Sequence, residues 1–175
     1  MKILAIIQAR CSSSRLPKKI LLPILGRPML LRQIERVKTS NLIDKIVVAT
    51  SFDNSDKELI SLLKENQINY FCGSLNNVLQ RFYDASLIYK PQHIVRITGD
   101  CPLIDSNVID QVISLHLKNG SDYTSNTITP TFPDGLDVEV FSFLALEKAF
   151  IDAKLPSERE HVTPYIYNNP EKFKL

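Results

Sequence analysis

Short, nearly continuous apolar runs alternate along the chain with segments in which apolar residues recur at helical spacing. Ile3–Ile7, Ile46–Thr50 and Ile94–Thr98 are rich in β-branched residues and too short for helices, so they predict strands buried on both faces. Between them, Met29, Leu30, Ile34 and Val37, then Leu59, Ile60, Leu62 and Leu63, follow the period expected of crossover helices. Ser55 and Glu58 are spaced for a capping box that opens the second of these. Tyr70 and Phe71 predict a brief strand. Val78, Leu79, Phe82 and Leu87 predict an amphipathic helix, and Val108, Ile109, Val112, Ile113 and Leu115 another, stopped by Asn119-Gly120.

After Asp122 the rhythm loosens. SDYTSNTITPTFPDGLDVEVFS predicts two strands, around Tyr123–Asn126 and Asp137–Phe141, joined by an excursion of the kind that handles ligands. No repeat, low-complexity stretch or linker composition divides residues 1–175, so one domain is expected. The alternation predicts an α/β fold, with a mostly parallel sheet and helices on both faces. Such sheets bind ligands outside the carboxyl ends of their strands, which predicts that the loops after residues 8, 50, 98 and 141 face one crevice.

Overall charge adds little: 21 Lys+Arg against 19 Asp+Glu gives +2, too even for a nucleic-acid partner recognised by its bulk field. Cys11, Cys72 and Cys101 are far apart and form no CxxC pair, so neither a disulfide framework nor a zinc site is signalled, and a cytoplasmic setting is expected. The run Ile3–Ile7 is far shorter than the roughly 20 apolar residues of a membrane span, so no membrane partner is expected.

Local charge changes the picture. In AIIQARCSSSRLPKK a buried strand runs straight into Arg10, Arg15, Lys18 and Lys19 with three serines among them. Neither GxGxxG nor GxxxxGK[ST] is present, so this is not one of the two commonest phosphate cradles. Arg10, Arg15 and Lys19 bring charge, Ser12, Ser13 and Ser14 bring donors, and Pro17 stiffens the loop, a set matched in size to a triphosphate. The plainer alternative is a solvated basic loop, and Lys18 fits that description best.

In VRITGDCPLID, Asp100 follows an apolar strand at the same sheet edge, with Gly99 expected to leave room for a ligand. A carboxylate beside a triphosphate needs a cation between them, and Mg²⁺ is the usual one, so Asp100 is expected to be a metal ligand. Asp105 stands where the next helix needs its N-cap, and Cys101 is expected to be a buried spectator. In PDGLDVEV, Asp137 and Glu139 share one face of an extended segment and could face a polyhydroxylated substrate or a metal; a solvent-facing strand side is the alternative. SEREHVTPYIY reads as a helix start in which His161 is solvated or capping, or as a subunit contact.

ARCSSSRLPKK is similar to the A-R-x-x-S-x-R-L-P-x-K signature of the cytidylyltransferases that activate acidic sugars. With VRITGDCPLID, PDGLDVEVF and REHVTPYIY, the chain resembles the spore coat polysaccharide biosynthesis branch of that family. The resemblance implies a Rossmann-like nucleotide-diphospho-sugar transferase fold. It also implies attack by an acceptor on the α-phosphorus of CTP with release of pyrophosphate, the acceptor being an acidic sugar or a small phosphorylated polyol. By position it places Arg10, Ser13, Arg15 and Lys19 in the triphosphate loop, where Arg15 and Lys19 would act in catalysis on the departing pyrophosphate, Ala9 and Arg81 at the nucleotide, and Asp100 on Mg²⁺; it also favours a homodimer. Asp137 and Glu139 stay substrate candidates on the extended-segment reading alone.

Three departures stand out. Lys18 replaces a usual Gly, and Asn76 and Asn77 stand where acidic residues are expected. Relatives also continue past REHVTPY into a strand and helix with a second metal-binding aspartate. That leaves three readings: a shortened chain, substitution by Asp137 or Glu139, or impaired catalysis. A catalytically silent nucleotide-binding protein and a glycosyltransferase are the rival functions, the latter typically carrying a DxD motif that no strand edge here supplies.

Overall fold

The computed structural model describes residues 2–13 and 15–175. Ser14 therefore lies outside the described residues. The three apolar runs form β1 (Ile3–Gln8), β4 (Lys45–Ser51) and β6 (His93–Thr98). A small antiparallel ladder, β2 (Pro23–Ile24) and β3 (Arg27–Pro28), follows the basic loop. The helices are α1 (Met29–Val37), α2 (Lys57–Glu65), α3 (Val78–Tyr89) and α4 (Ser106–Asn119), with the brief strand β5 (Tyr70–Gly73) between α2 and α3. Beyond them come β7 (Tyr123–Ser125), β8 (Glu139–Ser142), α5 (Phe143–Asp152), α6 (Pro156–His161) and α7 (Pro164–Tyr167).

The six-stranded sheet runs β5-β4-β1-β6-β8-β7, with β5, β4, β1 and β6 parallel. Alternation along β1 sends Ile3, Ala5 and Ile7 into a core shared with α1, α2 and α4. Leu4 and Ile6 enter a second core under α3, α5 and α7. Both faces are covered, as the apolar runs predicted.

β8 runs antiparallel to β6, pairing Glu139 with Arg96 and Ser142 with His93. This corrects one expectation. The loop after residue 141 opens at the amino end of β6, away from the crevice, because the strand is reversed. It is the entry into β8, carrying Asp134 and Asp137, that reaches the carboxyl edge.

The predicted capping box also differs. Asp53 accepts from the Ser55 backbone N–H at 2.8 Å and opens a short 3-10 turn ahead of α2, while the Ser55 hydroxyl has no partner among the described residues. Glu58 instead meets Lys18 at 2.5 Å. Asp105 caps α4 through Asn107 and Val108, and Gly120 ends it at φ +57°. Among the described residues no helix is long and apolar enough to cross a membrane.

At the other end of β6 the fully buried His116 imidazole lies 3.0 Å from His93 and 3.2 Å from the Thr124 hydroxyl. Burial, reinforced by the His93 charge, pushes the His116 pKa down from 6.5 to about 4. A base whose folded pKa is depressed favours the unfolded chain when it protonates. Stability present above pH 6.5 is thus lost as the pH falls from 6.5 towards 4, on the order of 2–3 kcal/mol. His116→Gln should flatten that slope in denaturant titrations across this window; an unchanged slope would assign the loss to other groups.

Candidate active site

Register builds the crevice. Gln8 pairs with Thr98, so the loop after β1 and the turn after β6 leave the sheet at one level. Gly99 donates to the Gln8 carbonyl at 2.8 Å, and a Cβ at Gly99 would lie 2.8 Å from that oxygen and 2.9 Å from the Ala9 Cβ. The space that glycine makes is taken by β1 itself, not by a ligand as predicted. Gln33 of α1, fully buried, donates to the Thr98 carbonyl at 2.7 Å and holds the end of β6.

The basic loop is anchored from beneath. Asp56 is fully buried, and its carboxylate accepts from the Cys11 backbone N–H at 2.7 Å, the Thr50 hydroxyl at 2.9 Å, the Ser51 N–H at 3.1 Å and the Ser51 hydroxyl. Ser13 and Lys18 both donate backbone bonds to the Cys11 carbonyl at 2.9 Å, which folds the loop back on its own start. Lys18 sits at φ +56°, in the left-handed region, which accounts physically for a glycine at this place in the family signature.

The two predicted halves meet. Lys19 Nζ lies 2.8 Å from Asp100 Oδ2. A cleft of about 270 Å³ is lined by Ala9, Arg10, Ser13, Arg15, Lys19 and Asp100 among others. Burial opposes the Asp100 charge, but the Lys19 hydrogen bond and charge outweigh it and hold the carboxyl below its ordinary value. Cys101 is buried and its thiol pushed up by that burial, as suits a spectator.

Beside this cleft a second one, of about 590 Å³, opens between β6, the entry to β8 and the α6–α7 segment. Arg96 and Glu139, register partners, form an ion pair across its floor. Glu139 is 7% exposed and has both oxygens engaged, by Arg96, by the Tyr123 hydroxyl at 2.7 Å and by the Thr163 hydroxyl at 2.6 Å. It braces the wall, whereas Asp137, also predicted for substrate, is half-buried on the same wall with no ion-pair partner among the described residues. Burial and the neighbouring Asp134, Glu139 and Asp100 raise the Asp137 pKa.

Arg81, predicted at the nucleotide, lines neither cleft. It is fully buried, packs its stem against Gly73, and donates from Nη1 to the Ser74 carbonyl at 2.9 Å. Its Nε and Nη2 have no partner among the described residues, and burial lowers its pKa to about 10. Asn77 caps α3 by accepting from Gln80 N–H at 3.1 Å, a role an amide fills as well as an acid. Asn76 and Asn77 also line a shallow cleft with Arg10 and Arg159.

Sequence reasoning missed Arg96, Thr98, Thr163 and Tyr167; His161, read as solvated or capping or as a subunit contact, is exposed and also lines the larger cleft. Arg96 had a signal: a charge at an alternate position of an otherwise apolar strand, on the face that Thr98 shares.

A family pattern described as cytidylyltransferase matches residues 4–175. The chain belongs to the cytidylyltransferase family. It is therefore a CTP-dependent nucleotidyltransferase. A solved cytidylyltransferase from Leptospira borgpetersenii superposes with a TM-score of 0.93 at 42% identity, covering 99% of this chain and 74% of that one. The spore coat polysaccharide biosynthesis protein SpsF of Bacillus subtilis is 36% identical over 99% of this chain and 73% of its own length. The mitochondrial 3-deoxy-manno-octulosonate cytidylyltransferase of Arabidopsis thaliana is 35% identical over 78% of this chain but only 47% of its own.

Proposed function

We propose that this cytidylyltransferase transfers CMP from CTP to a hydroxyl-bearing, sugar-like acceptor, releasing pyrophosphate, in the assembly of a surface polysaccharide. The observation that carries this reading is the 2.8 Å meeting of Lys19 and Asp100 in the smaller cleft, which shares Thr98 with the larger one. The triphosphate belongs in the smaller cleft, where Arg10, Arg15 and Lys19 offer three cations and Ser13 a hydroxyl. The acceptor belongs in the larger one. Kinship with the octulosonate cytidylyltransferase favours an acidic sugar there.

In this reading Arg15 and Lys19 face the departing pyrophosphate, whose charge grows most during transfer, and donors fixed in advance stabilise such charge more than water does. Asp100 would hold Mg²⁺. Its Oδ1 lies 4.0 Å from the Cys101 thiol, and no group of three or more His, Cys, Asp or Glu among the described residues is arranged for a metal. That donor set fits an ion held by one carboxylate and completed by phosphate oxygens and water. Held there, such an ion would supply charge neutralisation for the phosphates.

Lys19→Ala tests the assignment. Pyrophosphate release from CTP should fall about 10²–10³-fold. The melting temperature should move little, because an exposed ion pair is worth about 0–1 kcal/mol. Unchanged release would remove Lys19 from the site. Wild-type protein that binds CTP yet releases no pyrophosphate across a broad acceptor panel would leave a nucleotide-binding protein instead.

A further inference from the structure

We propose that Asp137 is the general base of the transfer, taking the proton of the acceptor hydroxyl as its oxygen attacks the α-phosphorus. This rests on the proposed cytidylyl transfer and on the larger cleft being the acceptor site.

The backbone fixes this carboxylate from both sides. A turn closes where the Leu136 N–H donates to the Pro133 carbonyl at 3.2 Å, and Gly135 passes through it at φ +93°, a region that residues with a Cβ rarely adopt. The turn brings Asp134 and Asp137 together, and their side chains are hydrogen-bonded. The buried Asn126 amide then clamps the chain around Asp137. It donates to the Leu136 carbonyl at 2.8 Å and accepts from the Val138 N–H at 2.9 Å. Asp137 therefore sits at the sheet end of its loop with little freedom, and a base acts best when held in advance. It lines the larger cleft with Thr98, the residue shared with the triphosphate cleft, and it feels the charge of Asp100.

The other charged or titratable groups of the cleft suit the task less. Glu139 has both oxygens engaged by Arg96, Tyr123 and Thr163, and the Arg96 guanidinium is no acceptor. Burial holds the Tyr167 phenol above its ordinary value, so it meets the acceptor already protonated. His161 is exposed on the α6 wall. Burial and the like charges of Asp134, Glu139 and Asp100 make Asp137 a stronger base than an ordinary aspartate.

In the step itself the acceptor O–H bond breaks and its proton passes to an Asp137 oxygen. The electron pair left on the acceptor oxygen forms the new bond to the α-phosphorus. The bond from the α-phosphorus to the bridging oxygen breaks, and that oxygen leaves on pyrophosphate with its electron pair. Protonated Asp137 donates to the Asp134 carboxylate, which relieves the repulsion between the two.

The test measures pyrophosphate release by the full chain with CTP, Mg²⁺ and a panel of carboxylate sugars beginning with 3-deoxy-manno-octulosonate. Asp137→Asn should lower kcat about 10²–10⁴-fold, the range a general base contributes, with the KM for CTP and the Mg²⁺ requirement unchanged. Asp137→Ala should lose as much, and added formate should restore part of its kcat by entering the vacated space as a substitute base. Melting curves check that both variants fold, and Asp137→Asn carries the test if Asp137→Ala does not. Undiminished release in Asp137→Asn would overturn the proposal. A loss accompanied by a raised Mg²⁺ requirement would do so too, by making Asp137 a metal ligand. So would imidazole rescue of His161→Ala beside an Asp137→Ala that formate leaves inactive. Each of these results leaves cytidylyl transfer standing. Wild-type protein that binds CTP and releases no pyrophosphate with any acceptor removes the transfer itself, and the base with it.

Discussion

Asp56→Ala is expected to destabilise the fold by about 3–5 kcal/mol and to raise the KM for CTP together with that loss. The carboxylate is fully buried, has no cation within ion-pair distance among the described residues, and is satisfied by four donors. Removing it strands the Cys11 and Ser51 N–H groups and the Thr50 hydroxyl, each unpaired group costing about 1–3 kcal/mol. For a chain of this size, that is a drop in melting temperature of roughly 10 °C or more. The Cys11 bond is also the point at which the cationic loop is fastened to β4, so the loop should lose its set position as well as its stability. Asp56→Asn, which keeps one carbonyl oxygen as an acceptor, should fall between. A melting curve for Asp56→Ala superimposable on wild type would show that the loop is held by other means.

Asp100→Asn should leave the fold nearly intact and abolish most turnover. The Lys19–Asp100 pair is exposed at 33% and 43% of its side chains, so its loss costs little stability. The amide removes the one carboxylate that would hold the metal while preserving size and the hydrogen bond to Lys19. Pyrophosphate release should drop about 10²–10³-fold, and the remaining rate should lose its dependence on Mg²⁺ concentration. Wild-type rates with an ordinary Mg²⁺ titration would rule Asp100 out as the ligand.

The parallel half of the sheet was legible in the sequence because burial on both faces forces unbroken apolar runs, and β1, β4 and β6 carry them. The cationic loop and Asp100 were legible for a related reason: polar residues placed directly after such runs must sit at strand ends. The direction of β8 was not legible, since apolar alternation is the same read either way and only the ladder from Arg96–Glu139 to His93–Ser142 settles it. Helix α5 went unread because Phe143, Ala145, Leu146 and Ala149 continue the apolar strand before them without a break. Residues with two plausible roles divided by burial: Arg81 is enclosed away from both clefts and Glu139 is enclosed and committed to structural partners, while Asp137 is left facing the cleft.

The reversal of β8 separates two tasks within one pocketed edge. In the proposed reading, phosphate handling depends on parallel strands whose spacing the whole sheet enforces, while part of the acceptor wall comes from residues 126–138, an arm attached at its ends and largely outside the sheet. Lengthening, trimming or recharging that arm alters what is modified without touching how the nucleotide is opened. Descendants of such a scaffold can diversify their products by changing one segment while inheriting the chemistry unaltered.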